Sequence, residues 1–136
     1  MNVSATEILS YFTGTVLPNA IDLLAGVTTG RFSDPKRLQE DEFPHASLFG
    51  FSSEVEVLDW KQRKTLFSFE LALCWKGSST AAVIAQIEQL EGQSVTAQWL
   101  GHKVDSWYVT SWDLYDLDPD DIILVLCHIE TTRIEP

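Results

Sequence analysis

Large apolar residues at every second position mark the segment 65–75 as a β-strand. They are Phe67, Phe69, Leu71, Leu73 and Trp75. Successive side chains of a strand point to opposite faces of a sheet, whereas a helix would scatter these five around its circumference. The alternate positions are mixed and more polar. The pattern therefore predicts a long central strand of an antiparallel sheet, with one buried face and one partly wet face.

A helix near the N-terminus is predicted by apolar residues that recur at steps of three and four over residues 5–25. Ser4 and Glu7 have the spacing of a capping box at its start. Gly14 weakens the interior of this helix, and Pro18 removes a hydrogen-bond donor and clashes with the preceding turn. We therefore expect one kinked helix or two short ones.

A second helix is predicted from residue 80 to about residue 91. Lys76 and Gly77 close the central strand, and Ser78 or Ser79 can cap the helix that follows. Gly92 is expected to end it.

Further strands are predicted on both sides of this helix, at residues 46–51, 54–60, 107–114 and 122–129, with a weaker signal at 95–100. The first two lead through a polar turn at residues 61–64 into the central strand, and the last two form a hairpin around an Asp- and Pro-rich turn. In residues 107–114 the alternation groups Tyr108, Thr110, Trp112 and Leu114 on one face. The order of elements predicts a single α+β domain over residues 1–136, with helices packed on an antiparallel sheet.

Residues 26–45 form the longest segment without a clear pattern, rich in Gly, Ser, Asp, Pro and charged residues. Long connections of this kind are often functional arms or binding loops. The alternative is a solvated loop that is partly disordered. The sequence favours neither over the other.

The charge is strongly acidic: nine Lys and Arg residues against 20 Asp and Glu give a net charge of −11. Such a surface repels nucleic acid phosphates and lacks the electrostatic attraction on which DNA binding depends. Solubility is the ordinary reason for an acidic surface. Two more specific hypotheses are an acidic surface past which DNA moves without binding, and a mimic of nucleic acid that fills a basic site on a partner.

No catalytic or metal-binding spacing is found in the sequence. The acidic turn around Asp116, Asp118, Asp120 and Asp121 lacks the central Gly and distal Glu of a calcium loop, so a solvated turn is favoured. The two cysteines and three histidines show no paired spacing. We therefore expect no enzyme activity, no cofactor and no metal. Free thiols, no basic leader and no long apolar run predict synthesis in the cytoplasm and no membrane segment.

Four of the five tryptophans divide by their neighbours. Trp75 and Trp112 fall in strands and are expected in the core. Trp60 and Trp99 lie beside polar turns, where an exposed Trp can anchor a protein interface, although burial at the edge of the core is favoured.

The order of elements resembles that of the tail terminator and tail-completion proteins of long-tailed bacteriophages. The resemblance covers most of the chain and is carried by Phe43-Pro44, the strand 65–75, the helical segment 79–92, and Asp118-Pro119-Asp120 before the strand 122–129. The segment 95–102 departs from it, since the second helix is expected to lead more directly into the last hairpin.

The resemblance implies a non-enzymatic structural protein of the virion tail or neck, assembled in the host cytoplasm. It would be a homo-oligomer, a hexameric ring that caps the tail tube and contacts the tube protein and the head connector or stopper protein. DNA would pass through its acidic lumen without specific binding. One alternative is a small acidic inhibitor or immunity protein that mimics nucleic acid, and a weaker one is a small-molecule binding module lined by aromatic residues.

Basic and acidic residues lie in separate segments, as head-to-tail contacts between copies require. The interface hypothesis pairs basic residues of one copy with acidic residues of the next. The basic set is Arg31, Lys36, Arg37, Lys61, Arg63 and Lys64, and the acidic set is Glu40, Asp41, Asp116, Asp118, Asp120 and Asp121.

Overall fold

A computed structural model describes residues 5–22, 24–93 and 106–135; of Ser106 and residues 133–135 it describes the backbone alone. In chain order the helices are α1 (Ala5–Tyr11), a π-helical turn (Phe12–Val16), α2 (Leu17–Ala20), two 3-10 turns (Pro35–Arg37 and Glu40–Glu42) and α3 (Thr80–Gln93). The strands are β1 (Gly26–Thr29), β2 (His45–Val57), β3 (Arg63–Lys76), β4 (Ser106–Leu117) and β5 (Ile122–Glu135). Ser4, Trp99, His102 and the weak strand predicted at 95–100 lie outside the described residues.

The five strands form one sheet in the order β1-β2-β3-β5-β4. Strand β3 is central, between β2 and β5, as its alternation predicted. The α+β class is confirmed, but the sheet is mixed rather than antiparallel throughout, because β1 pairs with β2 in parallel. That pairing comes from residues within 26–45, a segment in which we predicted no strand.

The core lies between the helices and one face of the sheet. All five predicted residues of β3 are buried there, with Phe69 and Leu71 fully enclosed. From α3 the buried residues are Val83, Ile87 and Leu90, and the N-terminal helices add Ile8, Phe12, Val16, Leu17 and Ala20. The Phe12 ring meets Phe69 edge to face at 5.2 Å, which joins the N-terminal helical segment to the central strand.

The N-terminal helical segment changes geometry in its middle and ends at Ala20, five residues earlier than predicted. The backbone N–H of Leu17 donates to the carbonyl of Phe12, which is π-type spacing. This widened turn contains Gly14 and directly precedes α2, where Pro18 has no N–H to donate. The predicted irregularity is thus present as a π turn.

Helix α3 begins as its sequence predicted. The Ser79 hydroxyl accepts a hydrogen bond from the backbone N–H of Ala82 at 3.2 Å. Such a cap satisfies an N–H that has no partner within the helix.

The predicted strands 46–51 and 54–60 are one continuous strand, β2, with a shift in register between Phe49 and Ser52. Gly50 supplies the positive φ of 67° that this bulge requires. A second bulge interrupts β4 between Val109 and Ser111. It corrects the predicted grouping in β4, because Trp107 and Val109 share the core-facing side with Trp112 and Leu114.

Residues 26–45 are folded onto the sheet and differ from the predicted loop. After β1 the chain crosses the face opposite the helices, where the Ser33 N–H and the Thr28 hydroxyl both bond to Ser47 Oγ, at 3.2 and 3.1 Å. Pro35 is buried in this layer, and Phe32 meets the Phe49 ring at 5.5 Å. Although the segment is polar in composition, it contains enough apolar residues to pack on the sheet.

Candidate interaction surface

The hairpin between β2 and β3 extends past the helices and carries exposed apolar residues. Val55 and Val57 lie on the face of the sheet that forms the core further along, yet they are 57% and 73% exposed. The Trp60 side chain, at the turn, is 87% exposed. Exposed apolar residues grouped in one patch mark interaction sites, and Trp is enriched among the residues that dominate binding energy at interfaces.

The turn that presents Trp60 is held in one shape by Asp59. One carboxylate oxygen of Asp59 accepts from the backbone N–H groups of Lys61 and Gln62, at 2.7 and 3.0 Å. The N–H of Leu58 closes the turn on the carbonyl of Gln62 at 3.0 Å. The Lys61 ammonium lies 4.4 Å from the Trp60 ring, a cation–π contact. We call residues 58–62 the hairpin tip.

Eleven of the twelve predicted interface residues divide into two groups at opposite ends of the sheet. Lys61 lies in the hairpin tip, and Arg63 and Lys64 begin β3 beside it. Eight others lie in residues 36–41 or in residues 116–121, near the end of β3 at Lys76. Arg31 follows Gly30, whose N–H donates to the carbonyl of Leu48 near the middle of the sheet.

Several of these charges meet within the one chain. Lys36 Nζ lies 4.0 Å from Asp120 Oδ2, and Arg37 Nε lies 3.9 Å from Asp34. Glu40 pairs with Lys76 at 3.4 Å, a partner absent from the predicted set. Residues 26–45, for which the sequence suggested an arm or a solvated loop, therefore make charged contacts within one subunit. Contact of these residues with a neighbouring copy stays a prediction.

A groove of about 620 Å³ lies at the Lys76 end of the sheet. Its walls come from five parts of the chain: the residues just after α2, the approach to β2, the end of β3, the first turns of α3 and the turn between β4 and β5. Phe43, Pro44, Trp75 and Val83 provide its apolar lining, and Ala82 lies exposed at its side. Gln86 accepts from the Asp22 N–H at 3.0 Å, which joins α3 to the end of the N-terminal helices.

The rim of the groove is acidic. Asp22, Glu40 and Asp121 line it, and Lys76 is the one basic residue among its lining residues. Sequence reasoning identified Glu40 and Asp121 but missed the groove, because its residues converge only after folding.

A histidine bound by two carboxylates lies on the face of the sheet away from the helices. His128 Nδ1 is 2.6 Å from Glu70 Oε1, and His128 Nε2 is 3.3 Å from Glu130 Oε1. Partial burial lowers the pKa of His128, but the hydrogen bonds and negative charges of both glutamates outweigh it and raise the pKa above its ordinary 6.5. Sequence reasoning missed this group, although His128 and Glu130 share a strand face; Glu70 joins them only through the pairing of β3 with β5.

This raised pKa predicts how stability depends on pH. A histidine whose pKa is higher in the folded than in the unfolded state stabilises the fold fully below its unfolded value, and that contribution is lost as pH rises through the folded value. Glu70→Gln should therefore reduce the free energy of unfolding most just below pH 6.5, at a pH still above the range where carboxylates protonate. The difference in free energy of unfolding between this variant and wild type should become smaller at higher pH. Denaturant unfolding over a pH series measures it.

The control is Glu54→Gln, at an exposed position of β2 on the same face of the sheet. It should leave the pH profile unchanged. An NMR titration that gives His128 the same pKa in wild type and Glu70→Gln would contradict the assignment.

His45 is a buried histidine of another kind. It is 5% exposed, and within the described part of the chain neither ring nitrogen has a hydrogen-bond partner. Burial lowers its pKa, with Glu42 opposing the effect. A Cβ on Gly26 would lie 2.9 Å from His45 Nδ1, so the parallel strand β1 approaches this ring closely.

The two cysteines are buried free thiols, and burial raises the pKa of both Cys74 and Cys127 to about 12. Among the described residues no group of three or more His, Cys, Asp or Glu side chains is placed to hold a metal ion. Over residues 5–22, 24–93 and 106–135, no helix is both long and apolar enough to cross a membrane.

No family model matches the sequence, and no curated protein matches it. The fold, by contrast, has a solved counterpart. A chain from the virion of a native gene transfer agent particle is similar, with a TM-score of 0.55 at 13% sequence identity. The match covers 97% of this chain and 87% of that chain. The two chains therefore share a fold over nearly their whole lengths.

Proposed function

We propose that this protein is a structural component of a phage-like virion, a tail terminator or neck protein. It would form a hexameric ring that caps the tail tube and joins it to the head connector. The observation that carries the proposal is the similarity in fold to a virion chain, which extends over 97% of this chain. The finer role is supported by the order of elements in the sequence, which resembles that of tail terminator proteins.

The charge fits passage of DNA through such a ring. A net charge of −11 on each copy repels phosphates, so DNA can move through an acidic lumen without being retained. A structural ring does not require catalysis, which agrees with the expectation of no enzyme activity. A ring also needs surfaces that bind another copy, and the exposed apolar hairpin is a candidate for one of them.

The test is assembly of the purified protein. Sedimentation velocity over a series of concentrations should show a closed oligomer, and negative-stain images should show rings with a central opening. A protein that stays monomeric at every concentration, also in the presence of purified tail tubes, would overturn the proposal. A tight one-to-one complex with a nuclease would instead support the nucleic-acid mimic.

A further inference from the structure

The two ends of the sheet have complementary shapes and charges. One end has the protruding hairpin tip, and the other has the groove beside Lys76. Strand β3 connects them through 14 residues, which at the usual rise per residue is about 43 Å. The tip of a chain therefore lies far from the groove of the same chain, and only another copy can bring the two together.

The hairpin tip combines an exposed apolar side chain, a fixed turn and a positive local charge. Trp60 offers a large apolar side chain that is 87% exposed, on a turn fixed by the two hydrogen bonds to Asp59. A pre-formed turn loses little conformational freedom on binding. Residues 58–64 contain Lys61, Arg63 and Lys64 against one acidic residue, so the local charge is +2 in a chain of −11.

The groove matches this tip in its lining, its volume and its charge. Its lining includes aromatic and apolar side chains from Phe43, Pro44 and Trp75, which suit an indole ring. Its volume of about 620 Å³ falls within the range of pockets that enclose bulky groups. Three acidic residues and Lys76 give its lining a charge of −2, opposite to that of the tip.

We infer that the hairpin tip of one copy docks in the groove of the next, with Trp60 as the apolar anchor and Lys61 facing the acidic rim. This contact is heterologous, since it joins two different surfaces and leaves a free tip and a free groove at the ends of any open chain. It rests on the proposed ring function, for which it supplies the contact between subunits.

The experiment uses one variant at each surface. Trp60→Ala removes the anchor, and Ala82→Arg fills the side of the groove from an exposed position and adds a charge that repels Lys61. Each alone should weaken self-association roughly tenfold or more by sedimentation velocity, as expected for loss of a central anchor. The matched controls are Tyr108→Ala, another exposed aromatic residue, and Ala81→Arg, the exposed neighbour of Ala82 that does not line the groove. Both should associate like wild type.

Mixing the two variants gives the sharpest outcome. Trp60→Ala keeps an intact groove and Ala82→Arg keeps an intact tip, so an equal mixture has one productive contact and should stop at dimers. Rings or longer chains in the mixture would overturn head-to-tail docking. Loss of association in Trp60→Ala but not in Ala82→Arg would show that the tip docks elsewhere.

Failure of this inference and failure of the proposed function give different results. If wild type forms rings and both variants form them equally well, the docking contact is wrong and the ring proposal stands. If wild type remains a monomer throughout, both are overturned. If wild type does not self-associate and binds a small molecule in the groove, the docking contact is also overturned.

Discussion

Replacing Leu71 with alanine should lower the free energy of unfolding by about 2–5 kcal/mol. Leu71 is fully buried at the centre of β3, and its partners in register, Leu48 on β2 and Cys127 on β5, are fully buried as well. The substitution loses the transfer free energy of the leucine side chain and leaves a cavity that paired strands on both sides cannot easily close. Denaturant unfolding measures the change, with an unchanged m-value as the sign of an intact two-state transition.

Leu66→Ala is the matched control. Leu66 lies on the same strand but on the opposite face of the sheet, where it is only half-buried. Its loss should cost clearly less than that of Leu71. Equal effects, or an effect of Leu71→Ala below about 1 kcal/mol, would mean that the buried face of the sheet has been assigned wrongly.

Features of this fold that depend on residues close together along the chain were predictable from the sequence. In β3 the alternation holds over the whole strand because its pairing with β5 is uninterrupted, the bulge in its pairing with β2 lies in β2, and the helices cover a single face. The start of α3 was predictable for a similar reason, since Ser79 caps an N–H only three residues away. Both signals are contained in short stretches of chain.

The bulges show where such local patterns fail. One extra residue in a strand moves every following side chain to the opposite face. In β2, Gly50 is a signal that can be recognised, since an isolated glycine within a strand pattern suggests a bulge. In β4, Thr110 gives no such signal, and the simple alternation therefore placed Trp112 with Tyr108 instead of with Trp107.

The interaction surface was predictable only in part. The basic character of the tip is visible in the sequence, but whether Trp60 is exposed depends on how far the helices extend over the hairpin. The groove could not have been predicted, because Asp22, Phe43 and Trp75 meet there from distant parts of the chain. The ion pair between Lys36 and Asp120 joins residues in the same way, through a segment that the sequence presented as a loop.

Reversing Lys61, Arg63 and Lys64 to glutamate should weaken association between copies and leave folding of the monomer nearly unchanged. Three positive charges become three negative ones, which takes the net charge from −11 to −17 and turns attraction to the acidic rim into repulsion. Single ion pairs at a surface contribute only about 0–1 kcal/mol, so each substitution alone should have little effect. Since the same contact recurs at every interface of a ring, the triple variant should lose assembly that wild type retains. Sedimentation at low salt measures this.

Two controls separate the local contact from the general increase in charge. Glutamine at the three basic positions, and glutamate at the exposed positions Ala81, Ala85 and Gln89 of α3, both take the net charge from −11 to −14. If the basic residues beside the tip bind an acidic surface of the next copy, the first of these variants weakens association more than the second. The difference should shrink at 1 M salt, where charges are screened beyond about 3 Å. Equal association of the triple reversal and wild type at low salt would leave these residues as an ordinary solvated turn and remove the electrostatic support for a ring.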